Sequence, residues 1–165
     1  MTAPLPPDAP TSVEWLGLRG TVCAVTGAGG GIGRAIALSL ARAGGRVALL
    51  DRDEAGSAET LRLLQEAGAD VVAVGCDLSD PAHVAAAAET VGRLLGPCGV
   101  LVNNAGLLRP GPLVTLAAAE WNLLLSVNLT GYFLCAQAFG AQPRDRVRRR
   151  LQRRPRVQPV VATPV

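Results

Sequence analysis

The sequence that decides the fold reads Thr26-Gly27-Ala28-Gly29-Gly30-Gly31-Ile32-Gly33. It follows an apolar run at residues 22–25 and precedes a helical pattern at residues 34–43. Glycines in such a turn let the backbone approach a phosphate closely and adopt a positive φ. The helix that follows directs free N–H groups and the positive end of its dipole toward an anion. The stretch therefore predicts a strand–turn–helix unit that binds the phosphates of a nucleotide.

Strand and helix patterns alternate on either side of this turn. The predicted strands are residues 21–26, 46–50, 70–75 and 99–103, and the predicted helices are residues 31–43, 54–67 and 81–95. Apolar strands separated by helices of about three turns indicate a parallel sheet covered on both faces. Because crossovers between parallel strands are right-handed, we expect a doubly wound α/β sheet. Residues 116–140 predict one long helix or two joined helices, interrupted at residues 126–128.

The composition divides the chain into three parts. Residues 1–12 contain four prolines and predict a disordered leader. Residues 13–142 form the predicted nucleotide-binding domain and hold 8 Arg against 11 acidic residues. Residues 143–165 hold 8 Arg against one acidic residue, Asp145, and lack apolar periodicity. We therefore expect an irregular Arg/Pro-rich tail, and the net charge of +3 reflects that tail.

Hydrophobic residues make up 49% of the 165 residues, enough for a sizeable core. The four cysteines (Cys23, Cys76, Cys98 and Cys135) lack metal-ligand spacing, which predicts buried thiols in a reducing compartment. The only histidine, His83, has no ligand cluster around it, so we expect no metal. Neither a signal peptide nor a long uninterrupted apolar stretch is evident. The expected protein is cytoplasmic, with no membrane partner.

The glycine turn alone is only moderately specific, because a P-loop also places glycines before a helix. A P-loop needs a lysine, and all 16 basic residues here are Arg. Later residues narrow the choice. The segments that match in order and spacing are Thr26-Gly-x-x-x-Gly-Ile-Gly33, Asp51, Cys76-Asp77-Leu78, Asn103-Asn104-Ala105-Gly106 and Ser126-Val127-Asn128-Leu129. Together they resemble the short-chain dehydrogenase/reductase family, which implies the N-terminal part of a Rossmann-type sheet of about four strands.

The resemblance implies a dinucleotide partner and a cofactor-binding role for particular positions. These positions are Gly27, Gly31, Ile32, Gly33, Asp51, Arg52, Asp77, Leu78, Asn104, Ala105 and Gly106. Asp51 would bind the ribose hydroxyls and repel a 2′-phosphate, which favours NAD over NADP. Arg52 acts in the opposite direction, because an arginine there would partly accommodate that phosphate. Because we give the carboxylate of Asp51 more weight than Arg52, we expect NAD rather than NADP as the cofactor.

Asn128 matches the catalytic asparagine of the family, which organises a water in a proton relay. The alternative is that Asn128 marks a helix kink and has no chemical role.

Trp121 and Phe133 are expected to pack in the core or at a helix interface.

The residues that complete the family's chemistry are absent from this sequence. The family transfers hydride between a nicotinamide and an alcohol or ketone. It uses a serine and the pattern Tyr-x-x-x-Lys, in which a cation lowers the pKa of the tyrosine. The only tyrosine, Tyr132, is followed four positions later by Ala136, and there is no lysine. The resemblance thus implies an inactive fragment of an NAD(P)-dependent oxidoreductase. The full-length parent would form a homo-oligomer that this chain is not expected to form.

The Arg-rich tail has more than one explanation. A shift of reading frame in a GC-rich gene yields irregular Arg and Pro of this kind. Alternatively, the chain is a non-catalytic nucleotide-binding protein whose tail binds nucleic acid or an acidic partner. That alternative predicts salt-sensitive binding to polyanions that is lost when residues 143–165 are removed. A third explanation is a second chain that supplies the missing half.

Overall fold

The computed structural model describes residues 16–142, so the predicted leader and tail lie outside the described residues. The chain contains four strands and five α-helices in this range. They are β1 (Val22–Thr26), α1 (Gly31–Arg42), β2 (Arg46–Asp51), α2 (Glu54–Glu66), β3 (Val71–Gly75), α3 (Pro81–Leu94), β4 (Cys98–Val102), α4 (Ala118–Leu125) and α5 (Gly131–Gly140). A 3-10 turn at Leu113–Thr115 precedes α4, and a π-turn at Ser126–Thr130 joins α4 to α5. The predicted elements agree with the observed ones to within one or two residues.

The four strands form one parallel sheet in the order β3-β2-β1-β4. The prediction of a Rossmann-type doubly wound sheet, in its N-terminal part, is therefore confirmed. β1 is fully buried and lies between β2 and β4, so its carboxyl end is at the centre of the sheet edge. The expectation that both faces are covered holds for β1 and β2 but only in part for β3 and β4. Among residues 16–142, no strand pairs with the outer edge of β4.

Two apolar cores lie on opposite faces of the sheet. α1 and α2 cover one face, where Ala37 and Leu64 pack against Val25, Val47 and Leu49. α3 and α5 cover the other face. The buried residues there include Ala24, Leu50, Val84, Val91, Cys135 and Phe139. Helices therefore cover both faces of the sheet.

Local signals explain where the helices begin and end. Asp53 accepts a hydrogen bond from the Gly56 N–H at the start of α2, and Asp80 accepts one from Ala82 at the start of α3. Asp53 and Asp80 therefore cap these two helices. Gly44 follows α1 with a φ of +80°, as expected for the glycine that ends a helix.

The interrupted helix is two helices joined by one π-turn, in which the Gly131 N–H donates to the Ser126 carbonyl oxygen. Of the two helices, only α5 packs on α3 and β4. Trp121 is 48% exposed and Phe133 is 62% exposed. Of the two placements predicted for them, the core and a helix interface, the core is therefore wrong. The run Ala118–Gly140 is long and apolar enough to cross a membrane by length and composition alone. Within this run, α5 packs on α3 and β4, whereas α4 has no buried residue.

Candidate dinucleotide site

A cleft of about 340 Å³ opens at the carboxyl ends of β1, β2 and β4. This is the edge at which doubly wound sheets bind ligands. The volume lies in the range of small-molecule sites, about 300 to 1,000 Å³. The lining residues are Gly27, Gly30, Ile32, Gly33, Leu50, Asp51, Arg52, Cys76, Asp77, Leu78, Asn104, Ala105, Gly106, Leu107 and Val127. Every cofactor position predicted from sequence lines the cleft except Gly31, which lies in the same turn.

The glycine turn is closed on one side and open on the other. A Cβ on Gly33 would overlap the Gly27 carbonyl oxygen and lie 2.7 Å from Asn104 Nδ2. Gly27 has a φ of +66°, and a Cβ there would lie 2.7 Å from the Cα of Ala105. In contrast, a Cβ on Gly30 or Gly31 would meet nothing within 4 Å. The turn therefore packs tightly against the sheet and leaves room for a phosphate on its outer side.

Asp51 ends β2 with its carboxylate fixed by the backbone. Its Oδ2 accepts the Gly29 N–H at 2.7 Å, and its Oδ1 accepts the Asp53 N–H at 3.0 Å. Each carboxylate oxygen can accept a second hydrogen bond. Asp51 thus ties the glycine turn to β2 and retains lone pairs for two further donors. The exposed Arg52 follows it on the wall of the cleft.

A network of hydrogen bonds joins the carboxyl ends of β1 and β4 beneath the cleft. The buried Thr26 hydroxyl oxygen accepts the N–H groups of Asn104 at 2.9 Å and Ala105 at 3.0 Å. Asn104 Nδ2 in turn donates to the carbonyl oxygens of Thr26 at 2.9 Å and Gly27 at 3.2 Å. Asn104 therefore supports the turn from below. Thr26 belongs to the glycine-turn motif, but the motif does not reveal its role, because the partners of its hydroxyl lie 78 and 79 positions away.

The segment after β3 forms the apolar and acidic wall of the cleft. The pKa of Asp77 is lowered, chiefly by hydrogen bonds from the Ser79 hydroxyl and N–H. Burial raises the pKa of Cys76 to about 12, so this thiol stays protonated and apolar. Leu78 is 5% exposed and lies against the start of α5, where a Cβ on Gly131 would be 2.8 Å from its Cβ.

Asn128 lies in the π-turn and binds the segment that follows β4. Its Oδ1 accepts the Leu107 N–H at 2.7 Å, and its Nδ2 donates to the Leu107 carbonyl oxygen at 2.9 Å. The side chain therefore positions the Leu107 backbone, which lines the cleft. Tyr132 has a similar structural role, because its hydroxyl donates to the Ala105 carbonyl oxygen at 2.7 Å.

In the described part of the chain, the other titratable side chains do not gather into a second site. Within residues 16–142 no group of three or more His, Cys, Asp or Glu side chains has the arrangement of a metal site. His83 is exposed near Asp80. The four cysteines are buried and form no disulfide, which also agrees with the prediction.

The fold and the cleft define a dinucleotide-binding α/β domain. The family model described as short chain dehydrogenase matches residues 21–146, and the chain belongs to this family of oxidoreductases. The 2-(S)-hydroxypropyl-CoM dehydrogenase 3 of Xanthobacter autotrophicus is 37% identical over 73% of this chain and 48% of its own length. The D-threitol dehydrogenase of Mycolicibacterium smegmatis is 40% identical over 74% of this chain and 47% of its own length.

Solved structures agree with this assignment, and they include complexes with NAD and with NADP. A short-chain dehydrogenase/reductase from Burkholderia phymatum, in complex with NAD, is 36% identical with a TM-score of 0.72. A metagenomic short-chain oxidoreductase in complex with NADP is 44% identical with a TM-score of 0.71. The match covers 74% of this chain in both cases, and 44% and 56% of those chains. The chain thus spans about half the length of the relatives it matches.

Proposed function

We propose that this chain binds NAD through the adenosine and pyrophosphate half of the dinucleotide and does not transfer hydride by itself. The observation that carries the proposal is the shape of the turn: Gly27 and Gly33 are packed against the sheet, whereas Gly30 and Gly31 are open. Phosphate oxygens fit on that open side, at the start of α1. Asp77 and Leu78 form the wall on which the adenine would lie.

The preference for NAD rests on the fixed carboxylate of Asp51. Two backbone N–H groups hold this side chain at the end of β2, so it cannot turn away from a ligand without losing both bonds. The ribose hydroxyls of NAD would donate to its remaining lone pairs, whereas a 2′-phosphate would bring a second negative charge against it. Repulsion between unit charges at 4 Å is about 1 kcal/mol in water and about 4 kcal/mol near a protein surface. Arg52 offsets this repulsion only in part, because it is exposed and screened.

Replacing Asp51 by asparagine tests this preference. The wild-type chain is expected to bind NAD at least about tenfold more tightly than NADP in calorimetric titrations at low salt, and Asp51→Asn is expected to narrow that ratio about tenfold. The matched control is Asp53→Asn, which removes a neighbouring carboxylate that caps α2 and does not line the cleft. An unchanged ratio in Asp51→Asn, or an equal change in Asp53→Asn, would contradict the role given to Asp51.

The full-length parent is proposed to oxidise an alcohol or reduce a ketone in the cytoplasm, as a homo-oligomer. The relatives named above are dehydrogenases, which supports that reaction class. This chain has no lysine to lower the pKa of a catalytic tyrosine, and the hydroxyl of its only tyrosine is bonded to Ala105. An arginine is a poor substitute, because its planar, weakly hydrated guanidinium differs from an ammonium group.

A further inference from the structure

Arg34, in the first turn of α1, points away from the cleft and binds the back of the glycine turn. Its Nη2 donates to the carbonyl oxygens of Gly29 at 2.6 Å and Gly56 at 3.3 Å, and its Nε donates to the Thr60 hydroxyl oxygen at 2.9 Å. Arg34 is half-buried and Thr60 is fully buried, so this contact is shielded from solvent. One rigid guanidinium thus joins α1, the turn and α2.

Two consecutive carbonyl groups of the turn face this side. The Thr60 hydroxyl lies 2.9 Å from the Ala28 carbonyl oxygen, to which it can donate, and Arg34 binds the next carbonyl oxygen, that of Gly29. In a trans peptide the N–H points opposite to the preceding carbonyl, and residues 16–142 contain no cis peptide. The Gly29 N–H accordingly points the other way, where it donates to Asp51.

The same geometry applies one residue later. Because Arg34 holds the Gly29 carbonyl oxygen on the α2 side, the Gly30 N–H points to the opposite side. Gly30 is exposed and lines the cleft, and a Cβ there would meet nothing within 4 Å. Close packing leaves little room for this peptide to rotate, since a Cβ on Gly56 would lie 2.6 Å from the Gly29 carbonyl oxygen.

We propose that Arg34 is a positioning residue for the pyrophosphate, because it holds the Gly29–Gly30 peptide with its N–H toward the cleft. Arg34 also places a fixed positive charge behind the turn without lining the cleft. This inference rests on the proposed binding of NAD. It adds that the contribution of Arg34 is specific to phosphate-bearing ligands, since adenosine alone does not use the Gly30 N–H.

The test compares ADP with adenosine, which differ only in the phosphates. Competition titrations against NAD with the full chain measure the ratio of the two affinities. In Arg34→Gln the affinity for ADP is expected to fall by about tenfold or more, and that for adenosine by less than about threefold. The matched control is Arg62→Gln, the same change at an exposed residue of α2 that pairs only with Glu59 and Glu66 among the described residues. It is expected to leave both affinities unchanged.

A second variant, Arg34→Lys, keeps the charge and the aliphatic stem but replaces the planar fork with a single donor centre. This variant is expected to unfold in urea near the wild-type midpoint. The ratio of its affinity for ADP to its affinity for adenosine is expected to be about threefold or more below the wild-type ratio. If Arg34→Gln does not fold, this variant decides the matter. Equal losses for both ligands, or a wild-type ratio in a folded Arg34 variant, would overturn the role of Arg34. Failure of the wild-type chain to bind NAD would instead overturn the proposed function.

Discussion

The substitution Gly33→Ala is expected to abolish measurable NAD binding. The added methyl group would overlap the Gly27 carbonyl oxygen and lie 2.7 Å from Asn104 Nδ2. Neither neighbour can move freely. Gly27 packs on Ala105, and the Asn104 amide donates to the carbonyl oxygens of Thr26 and Gly27. Overpacking of this kind costs about 1 to 3 kcal/mol. Displacement of the turn from its phosphate-binding geometry is expected to lower the affinity for NAD by at least about 100-fold.

Gly75→Ala is the matched control for this variant. Gly75 ends β3, and a Cβ there would meet nothing within 4 Å. This variant is expected to unfold at the wild-type urea midpoint and to bind NAD within about twofold of the wild-type affinity. Surface substitutions of this kind change the free energy of unfolding by about 0.5 kcal/mol or less. Titration of both variants by calorimetry checks the pair. NAD affinity in Gly33→Ala close to that of Gly75→Ala would refute the packing argument for the turn.

The substitution Thr26→Val is expected to cause the second largest effect, on stability. Valine has nearly the shape of threonine but leaves the N–H groups of Asn104 and Ala105 without their acceptor. Each polar group left unsatisfied in the interior costs about 1 to 3 kcal/mol. The expected loss in the free energy of unfolding is about 3 kcal/mol, a large fraction of the roughly 5 to 15 kcal/mol that stabilises an ordinary domain.

Thr26→Ser separates the hydroxyl from the methyl group. Serine keeps the acceptor and loses only one buried methyl group, a cost of about 1 kcal/mol. Urea unfolding followed by far-ultraviolet circular dichroism measures both variants. If Thr26→Val proves no more destabilising than Thr26→Ser, the hydrogen bonds between the ends of β1 and β4 do not contribute to the free energy of unfolding as the geometry indicates.

The order of the elements was predictable because each boundary has a local cause. The glycine turn follows an apolar strand, Gly44 ends α1, and Asp80 with Pro81 begins α3. Four strands with helices between them then leave few topologies. The observed β4 begins at Cys98, one residue earlier than predicted, a difference that alters no pairing argument.

The contacts that fix the geometry of the cleft were not predictable, since they join residues far apart in sequence. Thr26 meets Asn104 across 78 positions, and Arg34 meets Thr60 across 26 positions. Nothing in the sequence around Arg34, directly after the glycine turn, distinguishes it from an arginine on the surface. Chemical type and spacing suggested the residues that line the cleft, whereas the supporting residues became evident only from the fold.

The exposure of Trp121 and Phe133 was missed for a different reason. A helical pattern rich in apolar residues on all sides does not tell which side is covered. Here α3 and β4 pack on α5 and leave α4 uncovered among the described residues, and both aromatic side chains are exposed. Asn128 was predicted to interrupt this helix, and the π-turn contains it, but its hydrogen bonds to Leu107 required the position of the segment after β4.

One experiment addresses the central claim that the chain binds NAD without transferring hydride. The purified full chain is titrated with NAD by calorimetry, and the same sample is then incubated with NAD and a panel of secondary alcohols while NADH absorbance is followed. The expected result is saturable binding, with NADH formation no faster than in a blank without protein. NADH formation that scales with chain concentration and disappears in Gly33→Ala would contradict the account, as would the absence of NAD binding.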